Sequence, residues 1–413
     1  MAVSTFVATR GQLAAAYPLW ANVSAAWHES LWMTGAVAAA GAAGVACLLF
    51  PPRSALDIPT RPKVSERLLL RHGLLLGAWF LLGHVSGLVP IHIAAWRGAT
   101  AGRLSLSDVA VGVVGVLVLT LVGFSVGALV RTPVVIPIIG LVLFGLMSLP
   151  MEPLFRPVGL VLPVRQVSAS PRFETSQYTA VYAVLAAIAL AWAVVAVVTW
   201  ARARRSVRNN RSGTAMAVTA ALLLVGGAFM WRPELYVVAR PVASVCSDRS
   251  GTWICLHEAN LPAEADVTRT VAALRRAGLS QALRRVSDAA AVDRDRSRRD
   301  EALIHLDPGP FDSSFYASTL EEQVADQVVS EFTVGGCAGR QHVKIRNYDT
   351  LRALQQRILE LAGFGSLLEG QAPVEATAAK VFAGMTAPQI ADFIAENEEA
   401  IRGCSLTPSD VLA

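Results

Sequence analysis

Six long apolar runs without Asp, Glu, Lys or Arg constrain the fold of this chain more than any other feature of its sequence. Each run has about the 17–25 residues that an α-helix needs to cross a bilayer. Because the bilayer offers the backbone no water to bond, helices are expected there. We therefore predict a transmembrane domain over residues 31–231 with six helices. These are Leu31–Phe50, Gly73–Trp96, Val109–Val130, Thr132–Pro150, Tyr178–Trp200 and Thr214–Trp231.

The fourth run differs from the others because it contains Pro133, Pro137 and Pro150. Proline removes a backbone hydrogen bond and kinks or breaks the interior of a helix. We expect this segment to cross the membrane, with a kinked or re-entrant helix as the alternative.

Composition and charge divide the chain into two parts. Hydrophobic residues make up 54% and charged residues 16% of the sequence, and the mean hydropathy is +0.47, which is typical of a membrane protein. Residues 1–231 carry 17 basic and 6 acidic residues, whereas residues 232–413 carry 19 and 25. The net charge of +5 therefore combines a basic membrane part with an acidic tail, and it does not indicate nucleic-acid binding.

Basic residues also set the orientation of the predicted helices, because cytoplasmic loops carry an excess of Lys and Arg. One side of the membrane receives 11 basic residues and the other receives 6. A basic run on the richer side is interpreted as a topology anchor, with contact to anionic lipid or to a cytoplasmic partner as the alternative. The anchor consists of Arg202, Arg204, Arg205, Arg208 and Arg211. We therefore expect a multi-pass plasma-membrane protein whose N-terminal segment (residues 1–30) and C-terminal domain (residues 232–413) are extracytoplasmic.

Four of the five cysteines lie in the acidic tail, and the fifth, Cys47, lies in the first apolar run. An even set confined to one hydrophilic domain is typical of disulfides formed in an oxidising compartment. We favour pairing Cys246 with Cys255, across a turn that contains glycine, and Cys337 with Cys404. A zinc site is the alternative, although the tail contains no Cys-x-x-Cys pair.

The tail is long enough for one compact domain, and its pattern predicts a mixed α+β fold. Strands are indicated by the segments GTWICLHEA, EALIHLD and HVKIR, which begin at Gly251, Glu301 and His342. Three helices are expected, in the segments NLPAEADVTRTVAALRRAGLSQALRRVSD, YDTLRALQQRILELAGFG and MTAPQIADFIAENEEAIRGC. Their candidate N-caps are Asn260, Asp349 and Thr386.

Catalytic motifs are missing from the tail. His257-Glu258 is similar to the start of a metalloprotease helix, but position 261 is Leu261 and not the second histidine. The tail has no Gly-x-Ser-x-Gly elbow, and the whole chain has no Gly-x-x-x-x-Gly-Lys-Ser/Thr loop that would hold nucleotide phosphates. We therefore expect no catalytic residue, no metal and no cofactor, and any ATP hydrolysis would need a separate subunit.

Ionisable groups are scarce in and near the predicted helices, where His72, His84 and His92 are the ones to consider. We expect His84 to lie in the bilayer and to serve packing or an interhelical hydrogen bond. This scarcity argues against a self-contained ion-coupled transporter, because such proteins relay ions through intramembrane charges.

Gly123 and Gly127 in the third run have Gly-x-x-x-Gly spacing. Small residues at this spacing let two helices approach closely. We therefore expect helix packing at this face, within the chain or with a second copy.

The segment LTLVGFSVGALVRTPVVIPIIGLVLFGL turns at Arg131 from a helix rich in small residues into one that contains proline, and it resembles the ABC-2 type permeases, the membrane subunits of bacterial ABC exporters. The segments SAAWHESLWMTGAVAAAGAAGVACLLFPPRSA, VCSDRSGTWICLHEAN and MTAPQIADFIAENEEAIRGCSL resemble actinobacterial members with an extracytoplasmic domain. The resemblance covers most of the chain in outline.

This resemblance implies a separate ATP-binding subunit, together with a homodimer or heterodimer of permease subunits in the lipid bilayer. It also implies that the ATP-binding subunit docks on the segment DIPTRPKVSERLLLRH, where an amphipathic helix would lie along the membrane surface. The candidate docking residues are Arg61, Lys63, Glu66, Arg67 and Arg71. A pure topology signal is the alternative interpretation of the same residues.

Two functions are therefore expected from the sequence. The first is a permease subunit that exports an amphiphilic compound, a peptide or an envelope component. The second is an extracytoplasmic sensor or assembly factor that the helices merely anchor.

Overall fold

The computed structural model of the chain describes residues 1–15, 17–51, 62–99, 101–148, 173–202, 218–219, 221–223, 226–227, 236–238, 244–249, 251–292, 301–306, 319–334, 345–368 and 376–407. The molecule divides into two compact units. The first unit comprises Met1–Ala14, Pro18–Ala169 and Phe173–Val238, and the second comprises Ala15–Tyr17, Ser170–Arg172 and Ala239–Ala413.

The first unit is mainly helical. Its elements are α1 (Ala2–Thr9), a 3₁₀ turn (Arg10–Ala14), α2 (Trp20–Glu29), α3 (Leu31–Leu49), α4 (Pro62–Gly98), α5 (Leu106–Val130), α6 (Val135–Ser148), β1 (Phe173–Thr175), α7 (Gln177–Arg202) and β2 (Tyr236–Val238). The strands β1 and β2 form a short antiparallel pair.

Within the described residues, four helical segments are long and apolar enough to cross a membrane. They are Trp20–Leu49, Arg67–Gly98, Leu106–Val130 and Gln177–Thr199. These segments contain most of the first, second, third and fifth helices predicted from the sequence. The sixth predicted helix, Thr214–Trp231, is described only as short helical pieces between residues 218 and 227.

The fourth predicted helix is shorter in the structure than in the prediction. It begins at Val135, after Pro133, and ends at Ser148, so that α6 has 14 residues. At 1.5 Å per residue it is about 21 Å long, which is less than the roughly 30 Å of the hydrocarbon core. This length fits the re-entrant alternative at least as well as a full crossing.

The first candidate span begins at Trp20, eleven residues before the predicted start at Leu31. The sequence-based boundary fell at Leu31 because His28 and Glu29 interrupt the apolar run. In the structure His28 is fully buried, and the chain continues from α2 into α3 across Ser30. Part of the segment assigned to the extracytoplasmic N-terminus therefore belongs to this span.

The predicted docking segment does not form a separate amphipathic helix. Pro62–Gly98 is one helix of 37 residues, so the basic residues occupy its first turns. Arg67 and Arg71 are exposed and lie one helical turn apart. Of the other candidates, Lys63 and Glu66 lie in α4 without described side chains, and Arg61 lies outside the described residues.

Close backbone contact joins α3 to α5. A Cβ atom added at Gly123 would lie 2.5 Å from the Cα atom of Ala39, and one added at Gly127 would lie 2.6 Å from the Cα atom of Ala43. Such distances leave no room for a side chain, so the Gly-x-x-x-Gly face of α5 packs on the alanine face of α3. The glycine pair therefore serves packing within this chain.

Glycines also shape both faces of α4, which the sequence analysis did not consider. A Cβ atom at Gly77 would lie 2.9 Å from the side chain of Leu117 in α5, whereas one at Gly87 would lie 2.5 Å from Cβ of Thr5 in α1. The spacings Gly73-x-x-x-Gly77 and Gly83-x-x-x-Gly87 would have indicated these contacts.

We predict that Gly123→Ala destabilises the helical unit, because its new methyl group would overlap the backbone of Ala39. Overpacking of this kind costs roughly 1–3 kcal/mol. Thermal unfolding in mild detergent measures the effect as a fall in Tm.

The matched control is Gly145→Ala in α6, where an added Cβ meets nothing within 4 Å. Alanine is a better helix former than glycine, so Tm should stay constant or rise in this variant. An equal fall in Tm for both variants would contradict the α3–α5 contact.

The second unit is a mixed α+β domain. Its elements are β3 (Ser244–Arg249), β4 (Thr252–His257), a 3₁₀ turn (Glu258–Ala263), α8 (Glu264–Leu274), a π turn (Arg275–Leu279), β5 (Arg285–Asp288), β6 (Glu301–Ile304), α9 (Leu320–Thr333), α10 (Ile345–Ala362), a 3₁₀ turn (Gly365–Leu368), α11 (Ala376–Ala383) and α12 (Ala387–Arg402).

Among the described residues of this unit, four strands form one sheet in the order β3-β4-β5-β6. β3 and β4 are an antiparallel hairpin, and Gly251 in its turn has a φ of +82° that favours glycine. β4 pairs parallel with β5, and β5 pairs parallel with β6. The helix α8 makes the crossover from β4 to β5 that a parallel pair requires.

The structure confirms the strands predicted at β4 and β6 and the cap at Thr386, whose capping box includes Gln389. It corrects three other predictions. β5 lies in a stretch predicted as helix, because Gly278 with a φ of +123° interrupts the helical backbone before it. Asn260 does not cap α8, whose N-cap is Ala263. α10 already begins at Ile345, so the end of HVKIR, which was predicted as a strand, is helical, and Asp349 lies inside the helix instead of capping it.

A buried histidine cluster as candidate functional site

His84 lies near the middle of the apolar run in α4 and is fully buried. Its Nε2 atom lies 3.1 Å from the carbonyl oxygen of Trp27, and its Nδ1 atom lies 3.2 Å from the hydroxyl oxygen of Thr5. A carbonyl only accepts, so Nε2 carries a proton and donates it to Trp27. The sequence prediction of an interhelical hydrogen bond at His84 is confirmed.

Thr5 lets this site satisfy either protonation state of His84. Its hydroxyl lies within reach of two acceptors, the Nδ1 atom of His84 and the carbonyl oxygen of Met1 at 3.1 Å. A neutral imidazole accepts the hydroxyl proton at Nδ1. A protonated imidazole donates from Nδ1 to the hydroxyl oxygen, and the hydroxyl then donates to Met1.

The indole of Trp27 joins a second histidine of α4 to the first. Its Nε1 atom donates to Nε2 of His92 at 3.2 Å, while Nδ1 of His92 lies 2.9 Å from the carbonyl oxygen of Leu88. The indole ring also makes edge contacts with both imidazoles, at centroid distances of 5.9 Å for His84 and 5.8 Å for His92. Trp27 thus lies between two histidines that are eight residues apart on one helix.

His28, the next residue of α2, faces the first turn of α5. Its Nε2 atom lies 3.6 Å from Oδ1 of Asp108, and the two side chains are 0% and 3% exposed. The carboxylate lies near the N-terminus of α5, where the helix dipole favours negative charge. The hydroxyl of Ser105 accepts the backbone N–H of Asp108 and caps the helix.

These contacts define two groups of side chains from four helices that meet at the consecutive residues Trp27 and His28 of α2, and we name them together the histidine cluster. It comprises Thr5, Trp27, His28, His84, His92 and Asp108. Ionisable groups are costly in hydrocarbon, and where they occur they face the protein interior and mark functional positions. Within the described residues, no group of three metal-binding side chains is arranged to hold a metal ion.

Sequence reasoning found His84 and His92 but missed His28 and Asp108. Both missed residues lie just outside the apolar runs as drawn from uncharged residues alone. The signal that would have found His28 is the helical apolar pattern of Trp20, Val23 and Trp27, which extends the first span backwards past it. His72 bonds the carbonyl oxygen of Leu68 in its own helix.

A buried carboxylate organises the second unit. Asp288 at the end of β5 is 1% exposed and accepts hydrogen bonds from Nδ2 of Asn260 at 2.6 Å and from the backbone N–H of Ala290 at 2.8 Å. It also accepts the N–H of His257 at 3.2 Å, which ties the ends of β4 and β5 together. The hydroxyl of Tyr17, which belongs to this unit, donates to Oδ1 of Asn260. This arrangement satisfies a buried charge and serves the fold.

Two titratable groups of the second unit have shifted pKa values. Burial lowers the pKa of His257 below its usual value, against the opposing charges of Asp288 and Glu258. Its Nδ1 atom accepts the N–H of Ala259, which is a role for the neutral ring. Burial raises the pKa of Asp326, although Gln355 donates to its carboxylate.

The predicted disulfide between Cys246 and Cys255 is present in the structure. The two cysteines are directly opposite each other on β3 and β4, with Cα atoms 4.0 Å apart. Cys404 is also disulfide-bonded, but its predicted partner Cys337 lies outside the described residues, so that second pairing stays a prediction. Cys47 is a free cysteine.

One residue of the predicted topology anchor lies within the described residues. Arg202 is the last residue of α7. Arg204, Arg205, Arg208 and Arg211 lie outside the described residues.

The chain matches no protein-family model, and no curated protein and no solved structure is significantly similar to it. The resemblance to ABC-2 type permeases therefore rests on the sequence segments alone.

Proposed function

We propose that this chain is the membrane-spanning permease subunit of an ATP-driven transporter, which exports an amphiphilic compound, a peptide or an envelope component. The histidine cluster is the observation that carries this proposal. An anchor for an extracytoplasmic domain needs only apolar helices, whereas four helices here bury polar and ionisable groups among themselves. Buried groups of this kind favour a helical unit that rearranges or lines a pathway.

The contacts suggest which helices move together. α3 and α5 touch through backbone atoms, so they form a rigid pair. α2 joins this pair through backbone atoms at Gly112, and α1 contacts α4 equally closely at Gly87. The hydrogen bond from His84 to the carbonyl oxygen of Trp27 links these two groups, and in this proposal it holds in one arrangement and breaks in another. A partner that binds the two arrangements with unequal affinity would shift the balance between them.

The partner in this proposal is a separate ATP-binding subunit on the cytoplasmic side. The chain contains no nucleotide-binding loop of its own. Arg67 and Arg71 form an exposed basic face at the start of α4, on the side that the excess of basic loops assigns to the cytoplasm. We propose this face as the docking surface, in a complex with two permease subunits.

The second unit would lie outside the plasma membrane, on the side opposite the basic loops. Its Cys246–Cys255 disulfide supports this location, because structural disulfides form in oxidising compartments. In the permease it would recognise cargo or an outer partner. An extracytoplasmic sensor or assembly factor remains the second candidate, favoured by the separate compact unit that carries the disulfide.

We predict that affinity purification from native membranes in mild detergent recovers a stoichiometric ATP-binding subunit and ATPase activity. The double variant Arg67→Ala/Arg71→Ala should reduce its recovery several-fold, because both side chains leave the proposed docking face. Mass spectrometry of the eluted complex measures the ratio of the subunits.

The control is Arg97→Ala, which removes an exposed arginine at the opposite end of the same helix. Recovery should be unchanged in this variant. Reproducible absence of an ATP-binding subunit from the folded wild-type protein would overturn the permease and favour the sensor.

We further predict that His84→Asn retains the ATP-binding subunit but changes the ATPase rate of the purified complex. Loss of one interhelical hydrogen bond shifts a two-state balance by ~1 kcal/mol, which corresponds to a rate change of roughly fivefold. His72→Asn is the control, since His72 bonds the carbonyl oxygen of Leu68 in its own helix. Equal rates in both variants would exclude the histidine cluster from the transport cycle.

A further inference from the structure

A guanidinium group lies against the disulfide of the second unit. Nη2 of Arg285, on β5, is 3.2 Å from Sγ of Cys255 on the neighbouring strand β4. Nε of Arg285 lies 3.0 Å from the carboxylate of Glu301 on β6 and 3.3 Å from the hydroxyl of Ser287. The hydroxyl of Ser287 in turn donates to Glu301.

Strand register explains why these side chains meet. Cys246 is opposite Cys255, Cys255 is opposite Ser287, and Arg285 is opposite Glu301. Residues two apart in a strand share one face of a sheet, so all five side chains lie on the same face. The disulfide, the guanidinium and the carboxylate therefore form a row across four strands.

The two cysteine residues differ in exposure. Cys246 lies on the edge strand β3 and is exposed, whereas Cys255 is 1% exposed. β3 pairs with β4 alone within the described residues. An external thiolate can therefore approach Cys246, and the sulfur that would leave is the one that Arg285 contacts.

We propose that Cys246–Cys255 is an exchangeable disulfide that accepts two electrons from a protein dithiol, with Arg285 stabilising the departing sulfur of Cys255. This inference does not rest on the transport function. A structural disulfide needs no cation beside one sulfur, and a disulfide sulfur is only a weak hydrogen-bond acceptor. A thiolate is a charged acceptor, so the contact with Arg285 strengthens as the bond breaks.

The exchange proceeds in two balanced steps. The thiolate of the dithiol attacks Sγ of Cys246, a mixed disulfide forms, and the electron pair of the broken bond stays on Sγ of Cys255 as a thiolate. The second thiol of the partner loses its proton and attacks the mixed disulfide, which releases Cys246 as a thiolate. The partner ends as a disulfide, and two electrons have passed to the cysteine pair. The thiolates of Cys246 and Cys255 take up protons from solvent, which also receives the proton of the partner's second thiol.

The test uses the purified full-length chain in detergent, equilibrated with glutathione redox buffers. Free thiols are trapped by alkylation, and mass spectrometry of the peptides measures the fraction of Cys246 and Cys255 that is reduced. The midpoint is the value of [GSH]²/[GSSG], for reduced and oxidised glutathione, at which half of the cysteine pair is reduced. In Arg285→Gln this midpoint ratio should rise by about tenfold or more, because a hydrogen bond to a charged sulfur is lost. The rate of reduction by dithiothreitol should fall in the same variant.

Two further variants separate this role from a structural one. Glu301→Gln leaves Arg285 without its competing carboxylate, so half-reduction should occur at a lower ratio than in the wild type. Arg249→Gln is the matched control on β3, where the arginine bonds Glu264 instead of a sulfur, and its midpoint should not move.

Midpoints that agree among the wild type, Arg285→Gln and Glu301→Gln would overturn the proposal. A folded wild-type protein whose disulfide dithiothreitol cannot reduce would also overturn it. If Arg285→Gln does not fold, the opposite shift expected in Glu301→Gln decides the question alone, and no shift or a shift towards a higher ratio there refutes it.

Discussion

The close contact between α3 and α5 is the constraint on which the helical unit depends. Lipid tails are as apolar as leucine, so helices in a membrane associate through close packing and hydrogen bonds. Gly123 and Gly127 bring the backbones together, and Gly112 does the same for α2, since its added Cβ would lie 2.5 Å from the carbonyl oxygen of Trp27. That carbonyl is also the acceptor for His84. Packing by small residues thus positions the polar contacts of the histidine cluster.

The sequence predicted the parts of this fold that depend on length and periodicity. Four apolar runs became helices of spanning length, and GTWICLHEA and EALIHLD became strands. The errors fall where a long-range contact decides. The predicted first span began only after His28, at Leu31. A local sequence pattern does not show that His28 contacts Asp108, which lies 80 residues further along the chain. β5 was predicted as helix because its parallel pairing with β4 and β6 and the positive φ of Gly278 are features of the tertiary structure, which a local sequence pattern does not contain.

The two units have different chemistry. The helical unit buries histidines and a carboxylate among apolar helices, which is costly, and such groups mark functional positions. The second unit satisfies its buried Asp288 by hydrogen bonds, yet places Arg285 beside a disulfide whose other cysteine residue is exposed. A carboxylate that receives several hydrogen bonds serves the fold, whereas a cation beside a weak acceptor favours a reaction in which charge develops there.

The proposal assigns the second unit to the outside of the plasma membrane, and cysteine labelling tests this assignment most directly. In a Cys47→Ser background, Ala395→Cys places a thiol on an exposed position of α12, and Thr132→Cys places one on the exposed turn after α5. An impermeant maleimide should label Ala395→Cys on intact cells and Thr132→Cys only after permeabilisation. Labelling of both from the same side, or in the reverse order, would contradict an extracytoplasmic second unit.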